Sequence, residues 1–405
     1  MKNVCIIGGG AAGLFCAAVL KAKDKNASVT VYEKNDRVGK KLLATGNGRC
    51  NLTNLSACDI EKGLPIHYFG KDRCFCIDAL NQFTPHDLIN FFVSFGMPIR
   101  NENGKIYPYS SQAGTVLDIL RFYCESNGVV IATDSMINSI TYKNNKFIVN
   151  NERYDICVVA CGGKASPHLC SDGLGYDLLI RFGHKLTPLL PAITQIKTDT
   201  TFAKQLKGVK CDAEVKIIKN DRVIRSEFGE LLFCDYGLSG PPILQLSSSV
   251  NQNCVISADV MPEYSVEKII DMFKKNVQNP FYSEKTAQNL ILPVLNKRLG
   301  QVIVKYAGYS LSDPISNISF SHLARCIKDF RFKVTGVQSF QNAQVTAGGI
   351  ETKYFDNKTM QSRLVNGLYA IGEILDIHGD CGGYNLQWAF SSAYSAAKDI
   401  SEKLR

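Results

Sequence analysis

The first thirty-three residues carry the pattern that most restricts how this chain can fold. The apolar run Val4-Cys5-Ile6-Ile7 stops at Gly8-Gly9-Gly10-Ala11-Ala12-Gly13, which fits G-x-G-x-x-G through Gly8, Gly10 and Gly13. A helical stretch follows from Leu14 to Ala22. A second strand-like run, Ser28-Val29-Thr30-Val31-Tyr32, then ends on Glu33, twenty positions past Gly13. Each part has a physical role. Gly8 allows a tight turn, Gly10 lets the backbone approach a pyrophosphate, and Gly13 lets helix and strand pack closely. The helix start offers free N–H groups and a positive dipole end to phosphates, and Glu33 can accept hydrogen bonds from both hydroxyls of an adenosine ribose. The alternative is a glycine-rich turn in an unrelated α/β domain.

The chain has 405 residues, enough for two or three domains, and its 45% hydrophobic and 20% charged residues are those of an ordinary globular protein. Net charge is +9, yet the basic residues are spread thinly. The densest group, Lys40 and Lys41 with Arg37 and Arg49, lies beside the nucleotide motif. It reads as phosphate-facing and solvent-facing charge, so nucleic-acid binding is not expected. Fifteen cysteines are scattered, several of them in apolar runs (Cys5, Cys157, Cys254), which points to a reduced, cytoplasmic protein. The one tight pair is Cys74-Phe75-Cys76, so no metal site is expected. No stretch is long and apolar enough to span a membrane.

Residues 34–54, rich in glycine, lysine and asparagine, read as a loop wrapped along a ligand. Helical patterns follow near 72–83 and 85–95, then a turn-rich stretch at 101–111 and a helix over 115–127. Residues 128–131 read as a strand, and 136–143 with 146–150 as a meander. Ile156-Cys157-Val158-Val159-Ala160 is a buried strand ending in Cys161-Gly162-Gly163. From Pro191 short β-like segments dominate, at 215–218, 223–228 and 254–260. Residues 265–327 read as largely helical, with amphipathic runs at 266–275, 287–299 and 322–327. Strand-like pieces at 332–337 and 343–345 precede Gly367-Leu368-Tyr369-Ala370-Ile371-Gly372-Glu373, and a final helix covers 385–403. The expected organisation is α/β: a discontinuous Rossmann-like domain at 1–190 plus 345–405, a β-rich insert at 191–261 plus 328–344, and a helical subdomain at 262–327.

Three features favour FAD over a free nicotinamide coenzyme. A strand ends in Ala160-Cys161-Gly162-Gly163, where many flavoproteins have Ala-Thr-Gly. Near the C-terminus, Gly372 and Glu373 close a strand in the manner of the second flavin motif, whose acidic residue binds the ribityl chain. Just beyond, Gly382-Gly383-Tyr384-Asn385-Leu386 opens a helix whose N–H groups could meet the flavin N1–C2=O edge.

At this point the chain resembles a known family. Gly39-Lys40-Lys41-Leu42-Leu43-Ala44-Thr45-Gly46-Asn47-Gly48-Arg49-Cys50-Asn51-Leu52-Thr53-Asn54, Gly229-Glu230-Leu231-Leu232-Phe233 with Gly237-Leu238-Ser239-Gly240-Pro241, and Gly382-Gly383-Tyr384-Asn385-Leu386-Gln387-Trp388-Ala389 look like the BaiN-like flavoproteins, also called aminoacetone oxidase family FAD-binding enzymes. The resemblance implies an FAD domain interrupted by a β-barrel-like insert and a small helical domain. Members are linked to reduction of conjugated steroid or bile-acid carbonyls, or to amine oxidation. Carried over by position, Gly8, Gly10, Ala12 and Gly13 would hold the pyrophosphate and Glu33 the ribose. Lys34 and Lys41 would lie near adenosine and phosphate, and Gly48, Arg49, Cys50 and Asn51 near the flavin. Met136 matches a strand position whose backbone meets the adenine. Glu373 matches the ribityl contact, and Asn385 with Leu386 the helix start at the ring. The family pattern often has Asp where this chain has His378.

No second G-x-G-x-x-G follows a strand, so a dedicated NAD(P)H domain is not expected, and electrons would come from the substrate or from a nicotinamide docking against the flavin. The candidate acids and bases are His378, Tyr384 and Tyr107. Cys50 reads as a buried inert thiol, Cys157 and Cys161 as packing residues, and His184 as an element boundary. The function expected is an FAD-dependent oxidoreductase that passes hydride from NAD(P)H through flavin N5 to the β-carbon of an α,β-unsaturated carbonyl. The alternatives are a flavin amine oxidase using O₂, and an FAD-bound protein that binds RNA or a partner without turnover. A small-molecule substrate is expected.

Overall fold

An apolar strand that meets glycine at its end can be buried on both faces, because its helix folds back over it. In the computed structural model, which describes residues 2–250, 253–280 and 285–404, Asn3–Ile7 is the middle strand of a five-stranded sheet. The order is Leu368–Ala370, Ile156–Val159, Asn3–Ile7, Ser28–Tyr32, Val130–Ala132, and every neighbouring pair is parallel. Five strands from both ends of the chain therefore finish along one edge, where Rossmann-type sheets bind ligands. The helix Ala11–Lys23 covers the sheet beside the final helix, Tyr384–Leu404, and Phe15 meets Phe390 edge-on at 5.0 Å. The Rossmann-like α/β architecture is thus the one expected.

Contacts divide the chain into two compact units: residues through Pro191 with those from Ala343 onward, and Ala192–Asn342. The second unit is built on a closed barrel in the order Ile196–Thr198, Gly237–Ser239, Arg222–Cys234, Lys210–Lys219, Val255–Asp259, Phe330–Val337. Alternation sends Ala213, Val215, Ile217, Phe233, Ile256, Phe330 and Phe332 inward, all buried. Helices Val266–Gln278, Ala287–Ile291, Lys297–Tyr306 and Phe320–Lys328 join the same core, and Ser265, Thr286, Asn296 and Ser319 cap their starts.

Several local expectations are corrected. Residues 34–54 are not one loop: they hold a short helix, Lys40–Ala44, a 3-10 turn, Thr45–Gly48, and the strand Thr53–Asn54. The turn-rich stretch at 101–111 is mostly a hairpin of Ile99–Glu102 and Lys105–Pro108. The strand expected at 136–143 is confined to Thr141–Lys143, so Met136 lies outside any strand. The amphipathic run 287–299 breaks between Ile291 and Lys297, because Asn296 caps a new helix through the N–H groups of Arg298 and Leu299. The segment expected at 223–228 is part of one thirteen-residue strand, Arg222–Cys234, that continues through Gly229. The part of the expected helical region at 281–284 lies outside the described residues. Among the described residues no helix is long and apolar enough to cross a membrane, and no cysteine is in a disulfide.

Candidate functional site

All the residues expected at a cofactor belong to the first unit, and they fall into two groups. The first surrounds the glycine turn. A Cβ on Gly13 would stand 1.9 Å from the Gly8 carbonyl oxygen, so only glycine lets helix and turn approach this closely. Gly10, in contrast, has nothing among the described residues within 4 Å of where a Cβ would be, leaving open space over the start of a helix that none of their side chains caps. That is the form of a phosphate cradle. Ala12 packs beneath Gly372, and the Ala160 carbonyl lies against Gly8. Glu33 is buried at the edge of the sheet. One of its oxygens accepts the Gly9 N–H at 2.9 Å and the other the Asn35 N–H at 3.0 Å. Lys34 pairs with Asp172 at 2.6 Å, beyond the turn at Gly162. Met136 is exposed on this side, four residues past Val130–Ala132.

The basic cluster beside the motif is largely paired rather than open. Lys40 meets Asp36 at 2.7 Å, Lys41 meets Glu373 at 2.7 Å, and Arg49 meets Glu102 at 2.5 Å. Glu373 also accepts the Thr346 N–H at 2.8 Å, and Thr346 Oγ1 accepts the N–H groups of Lys164 and Ala165 at 2.7 and 3.0 Å. Thr346 was not visible in the sequence, because no motif surrounds it.

The second group joins the asparagine-rich segment to the start of the final helix. Thr53 Oγ1 donates to Gln387 Oε1 at 2.6 Å, and Asn54 Nδ2 donates to the Gly382 carbonyl at 3.0 Å. Asn54 Oδ1 accepts from Ser56, whose hydroxyl lies 3.0 Å from Tyr384 Oη. Asn385 clasps Gly379 with both amide atoms, at 2.8 and 2.9 Å. Gly383, at φ +101°, adopts a conformation that favours glycine, and a Cβ there would lie 2.5 Å from the Thr53 carbonyl carbon. Next to it, Asn51 Oδ1 is buried with no hydrogen-bond partner among the described residues. A buried acceptor without a partner beside the start of a twenty-one-residue helix suits the polar edge of a flavin ring. Leu386 is half-buried one turn in, and Trp388 Nε1 donates to the Gly372 carbonyl at 3.0 Å. Gly48 and Cys50, both at positive φ, bend the chain around this point. Burial pushes the Cys50 thiol up to about 12, which leaves it unreactive near neutrality.

The three acid–base candidates differ in setting. Tyr107 is buried under the Arg49 guanidinium, 4.2 Å from its ring centre, and burial raises it although Arg49 opposes the shift. Tyr384 is buried and engaged with Ser56. His378 is buried against the Phe69 ring; burial pushes it down to about 4, and its Nδ1 has no hydrogen-bond partner among the described residues. It is therefore a neutral imidazole at pH 7, able to share a hydrogen bond but not to supply a proton from its cation. His184 is a core residue, bonded to the Leu179 carbonyl and Ser362.

The chain matches the family described as HI0933-like protein Rossmann domain over residues 2–399. It is 34% identical over 416 residues to a 3-dehydro-bile acid delta(4,6)-reductase of Clostridium scindens, covering 100% of both chains. It is 33% identical over 414 residues to a ribosomal RNA dihydrouridine synthase of Haemophilus influenzae, covering 98% of both. With the ribosomal RNA dihydrouridine synthase of Escherichia coli it shares 30% identity over 413 residues and 98% of both chains.

Proposed function

Since the chain belongs to the HI0933-like Rossmann family and is an FAD-dependent oxidoreductase, we propose that it carries reducing equivalents from NAD(P)H to a carbon–carbon double bond conjugated to a carbonyl. Bound FAD supplies the hydride acceptor and donor that links the two half-reactions. Gly8, Gly10, Ala12 and Gly13 with the uncapped helix start hold the pyrophosphate, and Glu33 holds the adenosine ribose. Lys41 and Glu373, paired with each other, would lie beside the ribityl chain. Asn51 and the opening of the final helix would take the polar edge of the ring, where N–H groups would stabilise negative charge. His378, neutral and with Nδ1 unpartnered, hydrogen-bonds the substrate carbonyl oxygen, on which charge builds once the β-carbon has received hydride.

The observation that carries this reading is that the relatives' names share one chemistry. A 3-dehydro bile acid with Δ4,6 unsaturation is a conjugated ketone. Dihydrouridine is uridine with two hydrogens added across C5=C6, a double bond conjugated to the C4 carbonyl. A small enone is the first substrate class. A uracil base in ribosomal RNA is the second, favoured by the two synthase relatives that span nearly the whole chain. Both names describe a reduction, which makes amine oxidation the weaker reading.

The test is anaerobic. NADPH or NADH is expected to bleach the flavin of the holoprotein, and a 4-en-3-one steroid or cyclohexenone to restore its colour with formation of the saturated ketone. In parallel, ribosomal RNA fragments are scored by mass spectrometry for uridine that has gained two hydrogens. Bleaching by a small amine, with recolouring by O₂ alone, would overturn the reading.

A further inference from the structure

A second histidine stands beside this site, on a part of the chain that carries no motif. His67 precedes Tyr68–Phe69, whose two residues pair antiparallel with His378–Gly379. The pairing brings the His67 carbonyl to the Asp380 N–H at 3.0 Å and His67 Nδ1 to Asp380 Oδ2 at 3.1 Å. The Asp380 side chain is 4% exposed and that of His67 24%, so a buried carboxylate holds an imidazole that solvent or a ligand can reach. A carboxylate that accepts from Nδ1 fixes the proton there and leaves Nε2 as the ring nitrogen free to meet another partner. The His67 ring also stacks on the Tyr384 ring, with centroids 4.3 Å apart and planes 27° from parallel. Tyr384 in turn is tied to Ser56 through its hydroxyl and to Tyr68 through its carbonyl. Gly383, the next residue back, lies against Thr53 and the unpartnered Asn51 Oδ1. One stacked ring therefore separates His67 from the segment assigned to the flavin edge.

We propose that His67 is the proton donor of the reductive step and that Asp380 is its positioning residue. The inference rests on the conjugated-carbonyl reading. In that reaction NAD(P)H supplies two electrons and one hydrogen, which arrive as hydride at the β-carbon. The carbon–carbon π bond breaks, and its electrons move toward the carbonyl. The Nε2–H of the His67 imidazolium then transfers its proton to the α-carbon, and the imidazole takes up one H⁺ from the medium, which is consumed in each turnover. The products are NAD(P)⁺ and the saturated carbonyl compound. His378 is less suited to this role, because no carboxylate among the described residues is bonded to its ring and burial keeps it neutral, able to share a hydrogen bond but not to give up a cation's proton. The titratable groups on the elements packed around His67 are Tyr68, His378, Asp380, Cys381 and Tyr384.

Holoprotein reduced anaerobically with NADPH is mixed with cyclohexenone in D₂O buffer. The wild type is expected to place one deuterium on the α-carbon. In His67→Gln this step should slow about 10²- to 10³-fold and lose its acceleration toward low pH, while bleaching by NADPH stays within about twofold. Added imidazole should partly restore His67→Ala, a result that loss of folding would not produce. Independently of turnover, ¹⁵N-histidine spectra of the full chain should show His67, assigned by its absence in His67→Gln, change tautomer balance in Asp380→Asn. A wild type that reduces the enone while His67→Gln matches its rate and pH profile overturns the proposal alone. A wild type that reduces neither a conjugated ketone nor uridine in RNA overturns the reading and the proposal together.

Discussion

At the scale of single residues, the site depends on atoms that are missing as much as on those present. Gly13 and Gly383 both sit where a methyl group would meet carbonyl backbone, at 1.9 and 2.5 Å. Gly13→Ala should therefore weaken FAD binding about tenfold or more, seen as flavin lost on gel filtration, with the barrel signal in circular dichroism unchanged. His378 makes a prediction about pH. Its pKa in the folded chain, about 4, lies below the ordinary 6.5. The stability it contributes is complete above pH 6.5 and is lost as pH falls from there toward 4. Between pH 7 and pH 4.5 the wild type should lose on the order of 2 kcal/mol more than His378→Gln, read from urea midpoints of the two proteins. Equal losses would mean that His378 is protonated as easily folded as unfolded.

At the scale of elements, two-residue strands and a helix start do the positioning. Thr53–Asn54 has too few ladder bonds to hold itself, so side chains secure it. Gln387 is the hub. It accepts from Thr53, and its Nε2 donates to the Phe83 carbonyl at 2.9 Å and to Ser391 at 2.8 Å, all of it buried. Gln387→Ala would leave the Thr53 hydroxyl only its long 3.4 Å contact to the Asn54 carbonyl and weaken the hold on the Phe83 carbonyl, at a cost of roughly 2–3 kcal/mol. The same change should loosen flavin binding, because Thr53 is the wall against which Gly383 packs. Gln387→Glu keeps the acceptor but turns the Nε2 donor into a buried oxygen facing the Phe83 carbonyl, and should lose at least as much in thermal unfolding. A Gln387→Ala protein as stable as wild type would remove the hub role. These connections were the least legible in the sequence. The motif residues Asn51, Thr53 and Asn54 stood out, but nothing local said that Gln387, 334 positions beyond Thr53, would receive Thr53. Met136 lies outside the strand expected at 136–143 for a related reason: Met136, Ile137, Ile140 and Tyr142 suit an extended chain, yet pairing with the neighbouring strand reaches back only to Thr141.

At the scale of the whole molecule, the chain builds two cores, each with its own buried residues. Every residue proposed at FAD belongs to the first unit. Binding to the folded form stabilises only what it binds. Calorimetry should therefore resolve two transitions, and excess FAD should raise one of them by several degrees while leaving the other in place. A single transition that moves as a whole would show the two units to be one cooperative body.

The glycine turn, the parallel sheet and the choice of a flavin could be read from sequence alone, because their causes are local. Backbone sterics demand glycine at a turn beneath a pyrophosphate, and burial on both faces demands an apolar strand, wherever those residues happen to lie in the chain. What only tertiary structure decided is which charges are spent and which side chains meet. Arg49 is paired with Glu102, Lys41 with Glu373, and His67 with Asp380 from 313 positions away. Such pairs leave no periodic trace, since a hydrogen bond of about 3 Å depends on where two strands come to rest and not on the residues between them.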